Sequence, residues 1–353
     1  MKIPLLNMES EQLATNSNLP AAMDKQLDVL MHNRDGSLIL GASSLTGRYW
    51  AGSLWFYEDP NNAPTIERSS AGVQTEAGVT DIVWIDELRV AVASDTGAVE
   101  IWQLIDSRSS FKNLFYLFEH HETVNSVKIN SNRTRLASGS ADCLIKIWDV
   151  AGQCSTGTYH AHTAPVEKVA WSPVELEVFA SCSQDGRVLL WDTRKPKPAF
   201  KVDQSPLYSL PTSLAWKPGE TAVIAIGDET GHIVLKDIRN ANGMIKDCKS
   251  HTRAVHRLAF SPKNGTWLAS VSDDSTAVVT DMANEPRQIY RSYSHNDFVR
   301  GLSWDPLSNK LFTCGWDKQV CTHVVTMPAD DRMDISTPAA SYSSKVKGHT
   351  TKS

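Results

Sequence analysis

Four stretches, APVEKVAWSP (164–173), LPTSLAWKP (210–218), AVHRLAFSP (254–262) and FVRGLSWDP (298–306), carry one pattern: alternating apolar residues, then an aromatic, then a proline two residues later. Their aromatics, Trp171, Trp216, Phe260 and Trp304, are 45, 44 and 44 residues apart. Upstream, Ile129 and Trp84 fall in the same phase at gaps of 42 and 45, and Met31 opens the series 53 residues before Trp84. Seven units of about 44 residues therefore follow one another, and a fixed period of this size marks a repeat architecture.

Each unit continues with two more alternating runs, as in LASGSADCLIKIWD (136–149), FASCSQDGRVLLWD (179–192), LASVSDDSTAVVTD (268–281) and LFTCGWDKQVCTHV (311–324). Period-two alternation broken by Ser, Gly and Asp predicts short antiparallel strands joined by tight turns. The third run ends at Trp55, Trp102, Trp148, Trp191, Lys236, Thr280 and His323. Four-stranded modules repeated radially leave few free sheet edges. The predicted fold is all-β, a seven-bladed β-propeller over residues 22–325. Residues 1–21 read as a flexible arm and a candidate for ring closure. Residues 326–353, rich in Ser and Thr, read as a flexible tail.

Composition excludes several functions. The 353 residues hold 35 Lys plus Arg against 40 Asp plus Glu, a net charge of −5, whereas non-specific nucleic-acid binding needs a basic surplus. No apolar run of about 18 residues is present to span a bilayer. The first 20 residues lack a secretory signal pattern, so an intracellular protein is expected. The six cysteines form no C-x-x-C pair, which fits reduced thiols.

The modules resemble the WD-repeat family. Its signature is a His before the first strand, a Ser or Thr on the second, an Asp in the following turn, and Trp-Asp on the third. His120, Ser138, Asp142 and Trp148 match it, as do His162, Ser181, Asp185 and Trp191. Blade six keeps His251, Ser270 and Asp274 with Thr280 for Trp; blade seven keeps His295, Thr313 and Asp317 with His323 for Trp. A His, Ser and Asp together invite a hydrolase reading. A catalytic set is needed once, however, and this one recurs at matching offsets. It is read as a hydrogen-bond chain tying loop to sheet, and no catalytic residue is assigned. His160 and His162 near Cys154 lack a second pair at zinc spacing, and no phosphate-binding glycine motif appears. No metal or cofactor is expected.

Function then belongs to a surface where one blade departs from the others. Taking Gly41 as the equivalent of Ser138, the second turn of blade one is about four residues longer, giving SSLTGRYWAGS with Arg48, Tyr49 and Trp50 at its tip. Blade seven adds Phe298 and Trp316 on loops of the same side, and blade seven adjoins blade one in a closed ring. Together they form a candidate exposed aromatic patch of the residue types that dominate binding hot spots.

Four stretches, LILGASSLTGRYWAGSLWFYEDP (39 to 60), SAGVQTEAGVTDIVW (70 to 84), LLWDTRKPKPA (189 to 199) and HNDFVRGLSWDPL (295 to 307), resemble the methylosome WD-repeat family. That resemblance implies a non-catalytic partner of the type II protein arginine methyltransferase in a hetero-oligomer. It would hold the enzyme's N-terminal barrel and present histone and spliceosomal Sm-protein substrates for symmetric dimethylation, in cytoplasm and nucleus, with no direct contact to nucleic acid or membrane. The family's barrel contact carries over to Arg48 and Trp50. An alternative is a cullin-RING ubiquitin ligase receptor, since Trp191, Asp192 and Arg194 resemble its W-D-x-R box. A propeller enzyme would need one blade whose His and Asp escape the shared pattern, and none is evident.

Overall fold

The computed structural model describes residues 20, 22–46, 49–202, 209–239 and 244–326, with the side chains of residues 45, 46, 49, 50 and 244 excepted. They form seven antiparallel sheets spanning 26–75, 79–118, 124–160, 166–202, 211–249, 255–292 and 299–324. Six sheets have four strands in chain order, and the seventh has three among the described residues. The first strand of each sheet touches that of the next, and Val299–Trp304 touches Gln26–His32, so the ring is closed. This is a seven-bladed β-propeller. Among the described residues no helix is long and apolar enough to cross a membrane.

The repeat period maps onto the blades. Leu40, Val90, Leu136, Phe179, Ile224, Leu268 and Leu311 of the second strands pair with Trp55, Trp102, Trp148, Trp191, Lys236, Thr280 and His323. Alternation buries both faces of a blade, because each sheet is covered by a neighbour on either side. Apolar packing accordingly collects at the blade seams. Val29, Leu54 and Phe56 meet Ile82 and Trp84 between blades one and two. Leu27, Leu30 and Leu38 meet Phe312 and Cys314 where blade seven joins blade one.

The periodic aromatics of the first strands tie adjacent blades. The indole N–H of Trp84 donates to Met31 O at 3.1 Å, Trp171 to Lys128 O at 3.1 Å, Trp216 to Ala170 O at 2.9 Å and Trp304 to Ala259 O at 3.0 Å. In the last three, the acceptor lies one residue before the equivalent position of the preceding blade, Ile129, Trp171 or Phe260. A large ring fills the seam while its one polar atom finds a backbone partner.

Candidate functional site

Tight turns between second and third strands lie on the same face as the loops that lead into each first strand. In blade three, Asp142 accepts from Nδ1 of His120 at 2.9 Å, which leaves His120 Nε2 to accept from the Ser138 hydroxyl at 2.8 Å. Ser138 in turn accepts from Trp148 Nε1 at 2.8 Å. Blade four repeats this through Asp185, His162, Ser181 and Trp191. An acceptor-only carboxylate at one end sets the imidazole tautomer, so every donor in the chain points the same way.

The remaining blades substitute within this frame. In blade seven His323 Nε2 lies 2.8 Å from Thr313, Thr313 bonds His295, and His295 bonds Asp317. Tyr290 of blade six completes the chain at His323 Nδ1, 3.1 Å away. In blades one and two the indole partner moves to the third strand: Trp55 donates to Ser53 and Trp102 to the Glu100 carboxylate, at 2.9 and 2.8 Å. A residue two before the tryptophan shares its side of the strand, so this acceptor was legible by period two and was missed. In blade six His251 bonds Ser270 and Asp274, while the Thr280 hydroxyl, at the tryptophan's position, is buried with no partner among the described residues. Thr280→Val keeps the shape and removes that orphan group. It is expected to raise stability by about 1 kcal/mol, seen as a higher urea midpoint at unchanged slope.

Strand register corrects the reading of blade one. Ala42, not Gly41, pairs with Ser53 two residues before Trp55, and so takes the place of Ser138. The insertion is also strand rather than loop: Leu38–Thr46 and Tyr49–Tyr57 pair up to Leu45 with Trp50 and Thr46 with Tyr49. Backbone pairing absorbs a few extra residues at less cost than an open polar loop. The hairpin gains two rungs beyond the level at which the blade-three turn closes. Arg48 lies outside the described residues, as do the side chains of Tyr49 and Trp50.

Phe298 and Trp316 are brought together, with ring centroids 5.3 Å apart. They are partly buried rather than fully exposed, because two arginines cap them. The Arg300 guanidinium lies 4.6 Å from the Trp316 ring and 5.3 Å from Phe298, and Arg253 lies 5.7 Å from Phe298. Such stacking is favoured by the negative face of an aromatic ring. Trp316 also donates its indole N–H across the seam to Asp28 at 2.9 Å, and Asp28 accepts from Ser43 on the strand leading to the long hairpin. Burial raises the Asp28 pKa, against the hydrogen bonds from Ser43 and Trp316. Tyr293, 74 % exposed, lies on the same loop as Phe298 and was missed from sequence although its loop reads SYSHNDF.

Trp316 and Arg300 line a cavity of about 390 Å³ at this mouth of the central channel, with Asp28, Asp95, Glu167 and Lys168. The arrangement brings aromatic rings and charges of both signs to one mouth, the aromatics and arginine being residue types that protein interfaces favour. On the opposite face, Arg194 forms a two-pronged ion pair with Asp192, at 2.7 Å through each prong. Asp237 and Arg239 repeat that pairing in blade five. The D-x-R part of the box is therefore a turn brace that recurs without the tryptophan, and it does not single out a ligase receptor.

Comparison with known proteins agrees with this architecture. The WD domain, G-beta repeat family matches residues 112–149, 153–192, 243–281 and 286–322. The chain is similar to the methylosome protein WDR77 of Xenopus laevis, 40% identical over 316 residues, covering 89% of this chain and 93% of that protein. It is also similar to the GATOR2 complex protein WDR24 of Homo sapiens, 36% identical over 33% of this chain and 15% of that protein. Protein valois of Drosophila melanogaster is 25% identical over 56% of this chain and 57% of its own length.

Proposed function

Because the chain belongs to the WDR77 family of methylosome WD-repeat proteins, we propose that it is the non-catalytic scaffold of a protein arginine methyltransferase complex. In this reading it holds the N-terminal barrel of a type II methyltransferase within a hetero-oligomer, in cytoplasm and nucleus. It also presents histone and Sm-protein substrates for symmetric dimethylation. The barrel docks on the lengthened hairpin of blade one, through Arg48, Tyr49 and Trp50, and on the adjoining Phe298 and Trp316. The observation that carries this placement is the hairpin itself. It is longer than the blade-three turn by two rungs, and it rises beside the seam where Asp28 joins Ser43 to Trp316.

A tryptophan at a hairpin tip contributes to binding chiefly by desolvation, worth about 2 kcal/mol or more when truncated at a hot spot. Trp50→Ala is expected to weaken capture of the barrel at least tenfold, about 1.4 kcal/mol, in a calorimetric titration, with the melting temperature unchanged. Equal affinity of the two proteins would remove this assignment. Asp142→Ala serves as the converse control. It is expected to lower stability by about 1–3 kcal/mol by leaving His120 without its acceptor, and to leave capture intact.

A further inference from the structure

The mouth of the channel opposite the aromatic cluster is built differently. A cavity of about 370 Å³ opens there, walled by Leu30, Leu214, Leu258, Phe260, Leu302 and Trp304. Arg34, Lys128, Lys168 and Arg257 line it, and no Asp or Glu is among its lining residues. Asp81, fully buried behind the wall, holds Lys128 at 2.5 Å and Arg257 at 2.8 Å. Asp305, whose charge reaches His32, is held by Ser308 and by the Leu307 N–H. His256 at the floor is kept neutral by burial and by the charge of Arg300.

Lys168 decides what this cavity wants. Its side chain lines both channel mouths, and among the described residues no hydrogen bond or ion pair reaches its ammonium. Burial, followed by the charge of Arg257, draws its pKa down to about 8. Lys128, Lys168 and Arg257 share Asp81, and the charge of Glu167 reaches Lys168 from the other mouth, so three cations face two carboxylates and positive charge stays in excess at the floor, in a site surrounded by protein. Buried charges are normally paired, and pockets of this size with apolar walls and a few convergent polar groups hold small molecules.

We propose that this cavity binds a small doubly charged organic anion, a phosphate monoester with a flat apolar body, its phosphate meeting Lys168 and Lys128 and its body lying between Leu214, Phe260 and Trp304. A phosphate monoester, about −1.5 to −2 in charge near neutrality, complements a floor where positive charge is in excess. Its hydrogen-bond acceptors suit ammonium donors. The cavity opens on the face away from the docking hairpin, and although Lys168 and His256 also line the cavity there, phenyl phosphate binding and barrel capture are measured separately.

The test is a calorimetric titration of the full-length chain with phenyl phosphate, inorganic phosphate and phenol. Phenyl phosphate is expected to bind at one site, at least tenfold more tightly than either of the others, with affinity falling as salt rises. Lys168→Met is expected to weaken that binding at least tenfold while the melting temperature stays level or rises, since an unpaired buried cation is removed. If Lys168→Met fails to fold, Lys168→Gln tests the same loss of charge. Absence of binding at millimolar phenyl phosphate, or affinity that Lys168→Met and Lys168→Gln leave unchanged, overturns the proposal. So does inorganic phosphate binding as tightly as phenyl phosphate, because the apolar walls would then have no role.

Discussion

Asp81→Ala is expected to destabilise the propeller by about 3–5 kcal/mol, the usual cost of removing one partner from a buried ion pair. Asp81 has no exposed surface. It accepts from Lys128 Nζ at 2.5 Å, from Arg257 Nη1 at 2.8 Å, from Val127 N at 3.0 Å and from Ser126 at 3.2 Å. Burial alone would raise its pKa, yet the charges of Lys128, Arg257 and Lys168 hold the carboxyl well below the ordinary range. Without it, three cations face one another near the axis. Urea denaturation measures the loss, and the double variant Asp81→Ala, Lys128→Met is expected to lose less than the sum of the single variants. A change under about 1 kcal/mol for Asp81→Ala would mean that channel water screens the cations, since 31 % of the Lys128 side-chain surface is open to it.

The second large effect is acid lability above the range where carboxylates normally titrate. Burial lowers the pKa of His32 to about 4; burial, then the neighbouring His295, lowers that of His323 to about 4. Their ordinary value is 6.5. The neutral imidazole is therefore favoured by folding. Its contribution is complete above pH 6.5 and is lost as pH falls from there to about 4, by roughly 3 kcal/mol per group. Asp28, Asp95, Glu100 and Asp273, whose pKa values burial raises, act in the opposite direction and offset part of the loss. The difference between wild type and His323→Gln isolates the term. Glutamine keeps a donor for Thr313 without titrating, so the variant is expected to lose roughly 3 kcal/mol less between pH 6.5 and 4. Parallel stability curves for the two proteins would assign the lability elsewhere.

Blade count and the succession of strands were legible because they follow from local rules. Alternation with period two makes a strand two-faced, and recurrence near 44 residues makes each strand set the neighbour of its copy. Trp171 and Trp216 could be placed at the ends of first strands from spacing alone. What they bond to could not, since their acceptors, Lys128 and Ala170, belong to the preceding blade. Gly41 was misplaced by one residue for a related reason: a hairpin's register is set by pairing, and blade one lacks the hydroxyl that anchors the alignment of blades three, four, six and seven. Phe298 and Trp316 were found by their departure from the repeat. Their arginine caps, Arg253 and Arg300, were missed because spacing along the chain does not say which charges stack on a ring.

The amino-acid order by itself determined a ring of seven sheets, the recurring Asp, His and hydroxyl ladder, and the unusual hairpin of blade one. Ring closure decided the rest. It set Asp28 against Trp316, 288 residues away, and Asp81 against Arg257, 176 residues away. It also sorted the channel so that Asp28, Asp95 and Glu167 face one mouth while Arg34, Lys128 and Arg257 face the other. Short-range periodicity carries no information about which charges meet on an axis to which every blade contributes; that is settled only when the last blade packs on the first.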